Sequence, residues 1–138
     1  MLTQNLTYAA APIIGYIGAG SLKFMINSVI AGRLTFNKIG LGGLPSTHTT
    51  IVASATALTG FSEGVGTPVF ALALAVLMVV IIDAMDLRRK VGQHASALRR
   101  LMPDASTQQL RERVGHSPIE VVAGLALGTL IGAALAEW

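Results

Sequence analysis

Apolar residues in this chain are concentrated in four long stretches that polar segments separate. The stretches cover residues 8–31, 46–60, 67–85 and 118–136. A helix needs about 20 mostly apolar residues to cross the hydrocarbon core of a bilayer. The third stretch is the most apolar, whereas the second is short and rich in small residues. The pattern predicts an all-α fold, a polytopic membrane bundle of about four transmembrane helices that forms one domain over residues 1–138.

The segment between the third and fourth stretches, residues 86–115, has the pattern of a surface helix. Its apolar side chains recur every three or four residues, at Leu87, Val91, Ala95, Leu98 and Leu101. That spacing places them on one face of a helix, with the polar residues on the other faces. We therefore expect an amphipathic helix on the membrane surface after the third span.

Basic residues predict the orientation in the membrane. Two loops carry them, at Arg33, Lys38, Arg88, Arg89, Lys90, Arg99, Arg100, Arg111 and Arg113. With four spans both loops fall on the same side, and the other side has Glu63 and Glu137 but no Lys or Arg. Cytoplasmic loops of membrane proteins are enriched in Lys and Arg. The basic loops are thus expected in the cytoplasm and both termini on the opposite side, unless the second stretch does not cross.

The composition agrees with a membrane protein and excludes several kinds of site. Only 12% of the residues are charged and the mean hydropathy is +0.63, whereas soluble domains carry about 25% charged residues. The chain has no cysteine, so disulfides and thiolate metal sites are excluded. The three histidines show no metal-ligand spacing on one element. We expect no metal, no cofactor and, since few aromatic residues accompany the basic ones, no nucleic-acid partner.

A first candidate motif, residues 42–48, precedes the second apolar stretch with the sequence GGLPSTH. Its two glycines let a backbone approach an anion closely, and Ser46 or Thr47 can cap the helix that follows. The start of a helix favours a bound phosphate, and His48 in the first turn could protonate a leaving oxygen. The alternative is an ordinary turn, a helix cap and a surface histidine.

A second candidate motif, GHSPIE, precedes the fourth stretch at residues 115–120. Ser117 and Glu120 have the spacing of a capping box, with proline at the first helical position. His116 is not needed for the cap. Glu120 could instead orient the His116 ring and stabilise its charged form. One carboxylate is not expected to serve both roles, so the two interpretations compete.

Charged residues at the edges of the spans supply candidate partners for an anion. Arg88 or Arg89 could hold a phosphate with two parallel hydrogen bonds, although basic residues also flank many membrane helices. Asp83 lies at the end of an apolar run and Lys23 within the first one, where ionised groups are rare and usually paired. A Lys23–Asp83 pair is one expectation, and extension of Lys23 to the interface is the other. His94 is expected to be a solvated surface residue.

The three motifs together resemble a known family. The strings GGLPSTH, DAMDLRRKVGQHA and GHSPIEVVAG, within residues 23–132, are similar to the divergent branch of the type 2 phosphatidic acid phosphatase superfamily. That branch is related to acid phosphatases and vanadium-dependent haloperoxidases. The resemblance implies that His116 attacks phosphorus, that His48 protonates the leaving alcohol and that Glu120 orients His116.

The same resemblance implies which residues bind the phosphate. These are Gly42, Gly43, Ser46 and Thr47, with a cationic group drawn from Lys23, Lys38, Arg88 and Arg89, and Asp83 beside it. The implied reaction is metal-free hydrolysis of a lipid phosphomonoester or pyrophosphate. The chain departs from the superfamily pattern in that Thr47 replaces a glycine, Glu120 replaces an aspartate, and no arginine precedes His116 at the usual distance.

Three functions remain open on the sequence alone. The first is the membrane phosphatase. The second is an inactive relative that serves as a structural or assembly subunit, because the small residues Gly124, Gly128 and Gly132 predict close packing against another helix, whether a copy of this chain or a partner. The third, an ion pathway, is disfavoured because the charged residues cluster at one face. Membrane lipids, a homo-oligomer and a larger complex are the partners that these functions imply.

Overall fold

The computed structural model of this chain describes residues 2–34, 43–102, 110 and 114–137, with side chains from residue 6 onward. These residues form helices, and no strand occurs among them. The elements are α1 (Leu2–Ala31), α2 (Thr47–Ser62), α3 (Pro68–Ile82), a π-helical turn (Asp83–Leu87), α4 (Arg88–Leu101) and α5 (Pro118–Ala136). The predicted all-α class is confirmed.

Helix α2 lies at the centre of the bundle and packs against α5, α1 and α3. It is short and carries many hydroxyl side chains, of which Thr49, Thr50 and Ser54 are fully buried. These hydroxyls are satisfied locally: Thr50 donates to the Ser46 carbonyl at 2.9 Å and Ser54 to the Ile51 carbonyl at 2.9 Å. Such bonds let polar side chains occupy a helix interface without unpaired groups.

The glycines of α5 explain how α2 and α5 pack so closely. A Cβ atom on Gly128 would lie 2.6 Å from the Ala53 Cβ, and one on Gly132 would lie 2.6 Å from the Ser54 carbonyl oxygen. Gly124 is equally close, at 2.7 Å, to the Ser46 carbonyl oxygen. The prediction of close helix packing is therefore confirmed. The glycines face α2 of the same chain, so this stripe packs within the bundle, and association with a second copy or a partner stays a prediction.

Three helices are long and apolar enough to cross a membrane: Leu6–Ala31, Pro68–Leu101 and Pro118–Ala136. They make the chain an integral membrane protein by length and composition. Helix α2 has 16 residues, or about 24 Å of rise, which is less than the roughly 30 Å core of a bilayer. The fourth crossing and the sidedness of the loops remain predictions.

The third span continues without a break into the amphipathic segment. Residues 68–101 form one helical run of 34 residues, about 51 Å long. A helix with the predicted apolar stripe lies at Arg88–Leu101, with the stripe largely exposed, and it extends the span instead of starting a separate element. Its position on the membrane surface stays a prediction. Residues 103–109 and 111–113 of the predicted segment lie outside the described residues.

The two ends of the bundle have different chemistry. At one end the Tyr8 hydroxyl donates a hydrogen bond to the Glu63 carboxylate and joins the start of α1 to the end of α2. At the other end, α2 and α5 begin beside the junction of α3 and α4. The second end brings both histidine motifs to one place.

Candidate active site

The N-termini of α2 and α5 lie side by side. The Ser46 amide donates to the Glu120 carbonyl at 2.8 Å, which ties the first residues of the two helices together. Each helix has a serine cap: Ser46 accepts from the Thr49 amide and Ser117 from the Glu120 amide. Both positive helix ends therefore point toward the same region, a favourable place for an anion.

His116 is held by Glu120. Its Nδ1 lies 3.0 Å from Glu120 Oε2, and its side chain is only 9% exposed. The Ser117 amide donates to the same Oε2 at 2.9 Å. The expectation that one carboxylate cannot serve both the cap and the histidine was wrong, because a carboxylate oxygen can accept two hydrogen bonds. With Nδ1 protonated toward the carboxylate, Nε2 carries the lone pair of the neutral ring.

A backbone contact to the π-helical turn fixes the position of the His116 residue. The His116 amide donates to the Ala84 carbonyl at 3.0 Å. In this turn the Arg88 amide pairs with the Asp83 carbonyl, five residues back, and not with Ala84. Single π-helical turns inside α-helices are frequent at functional sites.

Gly115 permits that contact. It has a φ of +108°, and a Cβ atom there would lie 3.1 Å from the Arg89 amide nitrogen. A side chain at residue 115 would combine an unfavourable backbone conformation with a clash against the α3–α4 junction. The glycine of the GHSPIE motif thus allows the segment that carries His116 to pack against the α3–α4 junction.

Arg88 pairs with Asp83. The Arg88 Nε lies 2.7 Å from Asp83 Oδ2, and both side chains are about one-third exposed, at 33% and 32%. The expected Lys23–Asp83 pair is not formed among the described residues, because Arg88 takes the carboxylate. Since the ion pair uses Nε, the two terminal nitrogens of the Arg88 fork remain for an anion.

Lys23 is buried, with 5% of its surface exposed. Its Nζ donates to the Thr47 hydroxyl at 3.2 Å, at the first residue of α2. Within the described part of the chain no ion pair joins Lys23 to a carboxylate. The Glu120 carboxylate acts on Lys23 electrostatically, and a bound anion would give the buried ammonium a closer counter-ion.

His48 lies in the first turn of α2, outside the three candidate spans, with much of its surface exposed. Partial burial of the ring lowers the pKa of His48, and the charges of Arg88, His116 and Lys23 add to that effect while Asp83 opposes it. These charges belong to three other parts of the chain, each near enough to His48 to act on its proton. The neutral form of His48 is favoured as long as no anion is present.

Some of the predicted site residues lie away from this region or outside the described residues. The Arg89 side chain is exposed, and His94 is exposed on α4 as expected. Lys90 pairs with Asp86, four residues before it, at 2.8 Å. Gly43 lies next to the site and its amide interacts with the Glu120 carboxylate. Gly42 and Lys38 lie outside the described residues.

Comparison with known proteins agrees with the motifs. The family model described as the Divergent PAP2 family matches residues 4–131. The chain belongs to this family. It is also 25% identical over 138 residues to the Bacillus subtilis protein called "Uncharacterized membrane protein YuiD", with 87% of each chain covered. No solved structure matches the chain. Membership in the Divergent PAP2 family was predicted from the three motifs and is confirmed.

The two roles of Glu120 can be separated by substitution. Glu120→Gln keeps an oxygen for the Ser117 amide but removes the negative charge beside His116. For the phosphatase reaction that the family resemblance implies, we expect it to lower phosphate release about 100-fold or more while the melting temperature changes little. Ser117→Ala should do the reverse, with a loss of about 1 kcal/mol of stability and nearly unchanged activity. Both variants are measured for phosphate release and for thermal unfolding, and equal activity losses would contradict the assignment.

Proposed function

We propose that this protein is a metal-free membrane phosphatase that hydrolyses a lipid phosphomonoester or pyrophosphate through a phosphohistidine. One observation supports it above the others: the His116–Glu120 pair and the buried Lys23 meet where the N-termini of α2 and α5 converge. A histidine nucleophile, an orienting carboxylate and fixed positive charge are what phosphoryl transfer to a side chain requires.

In the first step, Nε2 of His116 attacks phosphorus and forms the N–P bond as the bond from phosphorus to the leaving oxygen breaks. His48, in its protonated form, gives its proton to that oxygen. Glu120 stabilises the positive charge that develops on the His116 ring. In the second step, water gives a proton to the now neutral His48 and attacks phosphorus, which breaks the N–P bond and releases inorganic phosphate.

The surrounding charges act on the transferred group. Lys23, Arg88 and the positive ends of α2 and α5 would supply positive charge to the phosphoryl oxygens. Phosphoryl transfer depends chiefly on positioning and on stabilisation of this spread negative charge. Asp83 holds the Arg88 fork through Nε and therefore acts as a positioning residue and not as a direct phosphate ligand.

A lipid substrate suits the position of the site in the bundle. The site lies at the end of α3, where the apolar helix gives way to Arg88, Arg89 and Lys90. Basic residues at such a boundary attract anionic headgroups. We place this end of the bundle at the cytoplasmic face, with α2 as the fourth crossing and both termini on the other side.

The structural-subunit alternative has lost its main support. It depended on the glycines of α5 as a surface for another chain, and these glycines contact α2 of the same chain. The side-chain arrangement around His116 also has no evident purpose in a purely structural protein, since the helix cap requires Ser117 and Glu120 but not a histidine.

The proposed function is tested with purified protein in liposomes. We expect inorganic phosphate to be released from a lipid monophosphate or a lipid pyrophosphate, and the rate to be unchanged by a metal chelator. Liposomes without protein are the control. The absence of release from both lipid classes, with protein that retains its helical content by circular dichroism, would contradict the proposal.

The acid role of His48 predicts a particular pH dependence. Burial and the neighbouring cations lower the pKa of His48 below its ordinary value of 6.5 in the free protein, so the ring loses its proton before neutral pH. A bound phosphate dianion opposes that effect. We therefore expect kcat/KM to fall as pH rises through this lowered pKa, whereas kcat stays constant up to a higher pH. His48→Gln should abolish the fall of kcat/KM at high pH. An unchanged pH profile in that variant would contradict the role of His48 as the acid.

A further inference from the structure

Helix α1 borders the candidate site, and it carries a second polar side chain there besides Lys23. Asn27 lies four residues after Lys23, so the two side chains lie one turn apart on the same face of the helix. Asn27 is partly buried. By contrast, Met25 and Val29, two residues before and after it, are 61% and 81% exposed. Asn27 therefore belongs to the face of α1 that meets the rest of the bundle.

Asn27 lies against the loop that leads into α2. A Cβ atom on Gly43 would be 4.0 Å from Asn27 Oδ1, the distance of an ordinary van der Waals contact. Because Gly43 has a φ of +108° and no side chain, the Asn27 amide lies beside bare backbone there. The Gly43 amide also interacts with the Glu120 carboxylate, which holds His116. Two neighbouring contacts therefore connect Asn27 with the His116–Glu120 pair.

The contact of Lys23 places the same face of α1 at the other end of this loop. Lys23 Nζ donates to the Thr47 hydroxyl at 3.2 Å. One residue earlier, the Ser46 amide donates to the Glu120 carbonyl at 2.8 Å. Residues 43–47 thus have contacts with α1 and with α5. An anion bound between this loop and α1 would meet the side chains of both Lys23 and Asn27.

The chemistry of Asn27 suits a ligand of phosphate. Its carboxamide has two N–H donors, and among the described residues this group makes no hydrogen bond. Polar side chains within membrane spans are costly and generally serve a function. A neutral donor adds a hydrogen bond to a bound phosphate without adding another charge that has to be buried.

We propose that Asn27 is a further phosphate ligand, which donates a hydrogen bond from Nδ2 to an oxygen of the phosphoryl group bound at the starts of α2 and α5. This inference rests on the proposed function and deepens it. Lys23 supplies positive charge to the phosphoryl group, whereas Asn27 supplies a directional hydrogen bond that requires an acceptor oxygen at one place.

The binding of inorganic phosphate to the purified protein, measured by calorimetry, tests the inference. Asn27→Leu has a similar size and removes both donors. Asn27→Asp keeps the shape of the side chain but puts a carboxylate in place of the donor, and a carboxylate repels an anion. Gln93→Glu is the matched control, because it makes the same change from amide to carboxylate at an exposed position on α4.

We expect Asn27→Leu to weaken phosphate binding about tenfold or more, the effect of losing one hydrogen bond to a charged group. Asn27→Asp should weaken it further, and the control should bind phosphate as the parent protein does. Thermal unfolding separates this role from a structural one. The carboxylate of the Asn27→Asp variant can pair with Lys23 one turn away, so its melting temperature should equal or exceed that of the parent while its affinity falls.

Unchanged phosphate affinity in both Asn27 variants would overturn the inference and leave the proposed function standing. A lower melting temperature in both variants, with affinity lost only in proportion, would assign Asn27 a structural role and would also overturn the inference. If the parent protein itself binds no phosphate, the proposed function fails and this inference fails with it.

Discussion

Replacement of His116 by alanine is expected to reduce phosphate release at least about 10⁴-fold, to the level of liposomes without protein. The imidazole is the only side chain in the proposed mechanism that forms a bond to phosphorus. It is 9% exposed and is held by Glu120. The rate is measured as inorganic phosphate released from the lipid that the wild-type protein hydrolyses fastest.

Two further variants make this result specific. His48→Gln should reduce the rate less, by about 10²–10⁴-fold, because it removes only proton transfer. His94→Ala should leave the rate unchanged, since His94 is exposed on α4. A His116→Ala protein that keeps substantial activity would show that another group is the nucleophile or that the reaction is direct attack by water.

Replacement of Gly128 is expected to cause a large loss of stability. Even the smallest change, Gly128→Ala, puts a Cβ atom 2.6 Å from the Ala53 Cβ and 2.7 Å from the Thr50 carbonyl oxygen. One neighbour is backbone and the other an alanine that has no rotamer to change, so the two helices must move apart. We expect a loss of about 3 kcal/mol or more, at the upper end of what overpacking costs.

Gly20→Ala is the matched control for that measurement. Gly20 is also in a membrane helix, but nothing lies within 4 Å of the position its Cβ would occupy. Alanine there should be neutral or slightly stabilising, because glycine is the poorer helix former by about 1 kcal/mol. Thermal unfolding in detergent compares the two variants. A Gly128→Ala protein that melts with the wild type would show that α2 and α5 are not packed as described.

Much of the fold could be predicted from the order of apolar and polar residues. The three long spans are evident from their composition, and the caps at Ser46 and Ser117 are evident from local motifs that need no tertiary information. The central position of α2 was not predicted. Its threonines and serines indicate a weak membrane span, and only the glycines of α5 across the interface explain why these residues are buried.

The candidate site could be predicted in part for a similar reason. His116 and Glu120 are four residues apart, on either side of the Ser117 cap of α5, so their contact needs only local structure. The pairing of Asp83 with Arg88, and of Lys23 with Thr47, depends on the path of the backbone. The hydrogen bond from His116 to the Ala84 carbonyl could not be predicted, because no sequence pattern identifies the π-helical turn that contains Ala84. The two contacts of Glu120 Oε2, with the Ser117 amide and with the His116 ring, were likewise evident only in the structure.

The central claim is that His48 and His116 border one anion site formed by the ends of α2 and α5. The chain has three histidines, which makes imidazole NMR a direct test. Titration of inorganic phosphate into protein labelled at histidine should shift the ring signals of His48 and His116 together, with one common affinity, and leave the signal of His94 unchanged. Shifts in only one of the two rings, or equal shifts in all three, would contradict the account.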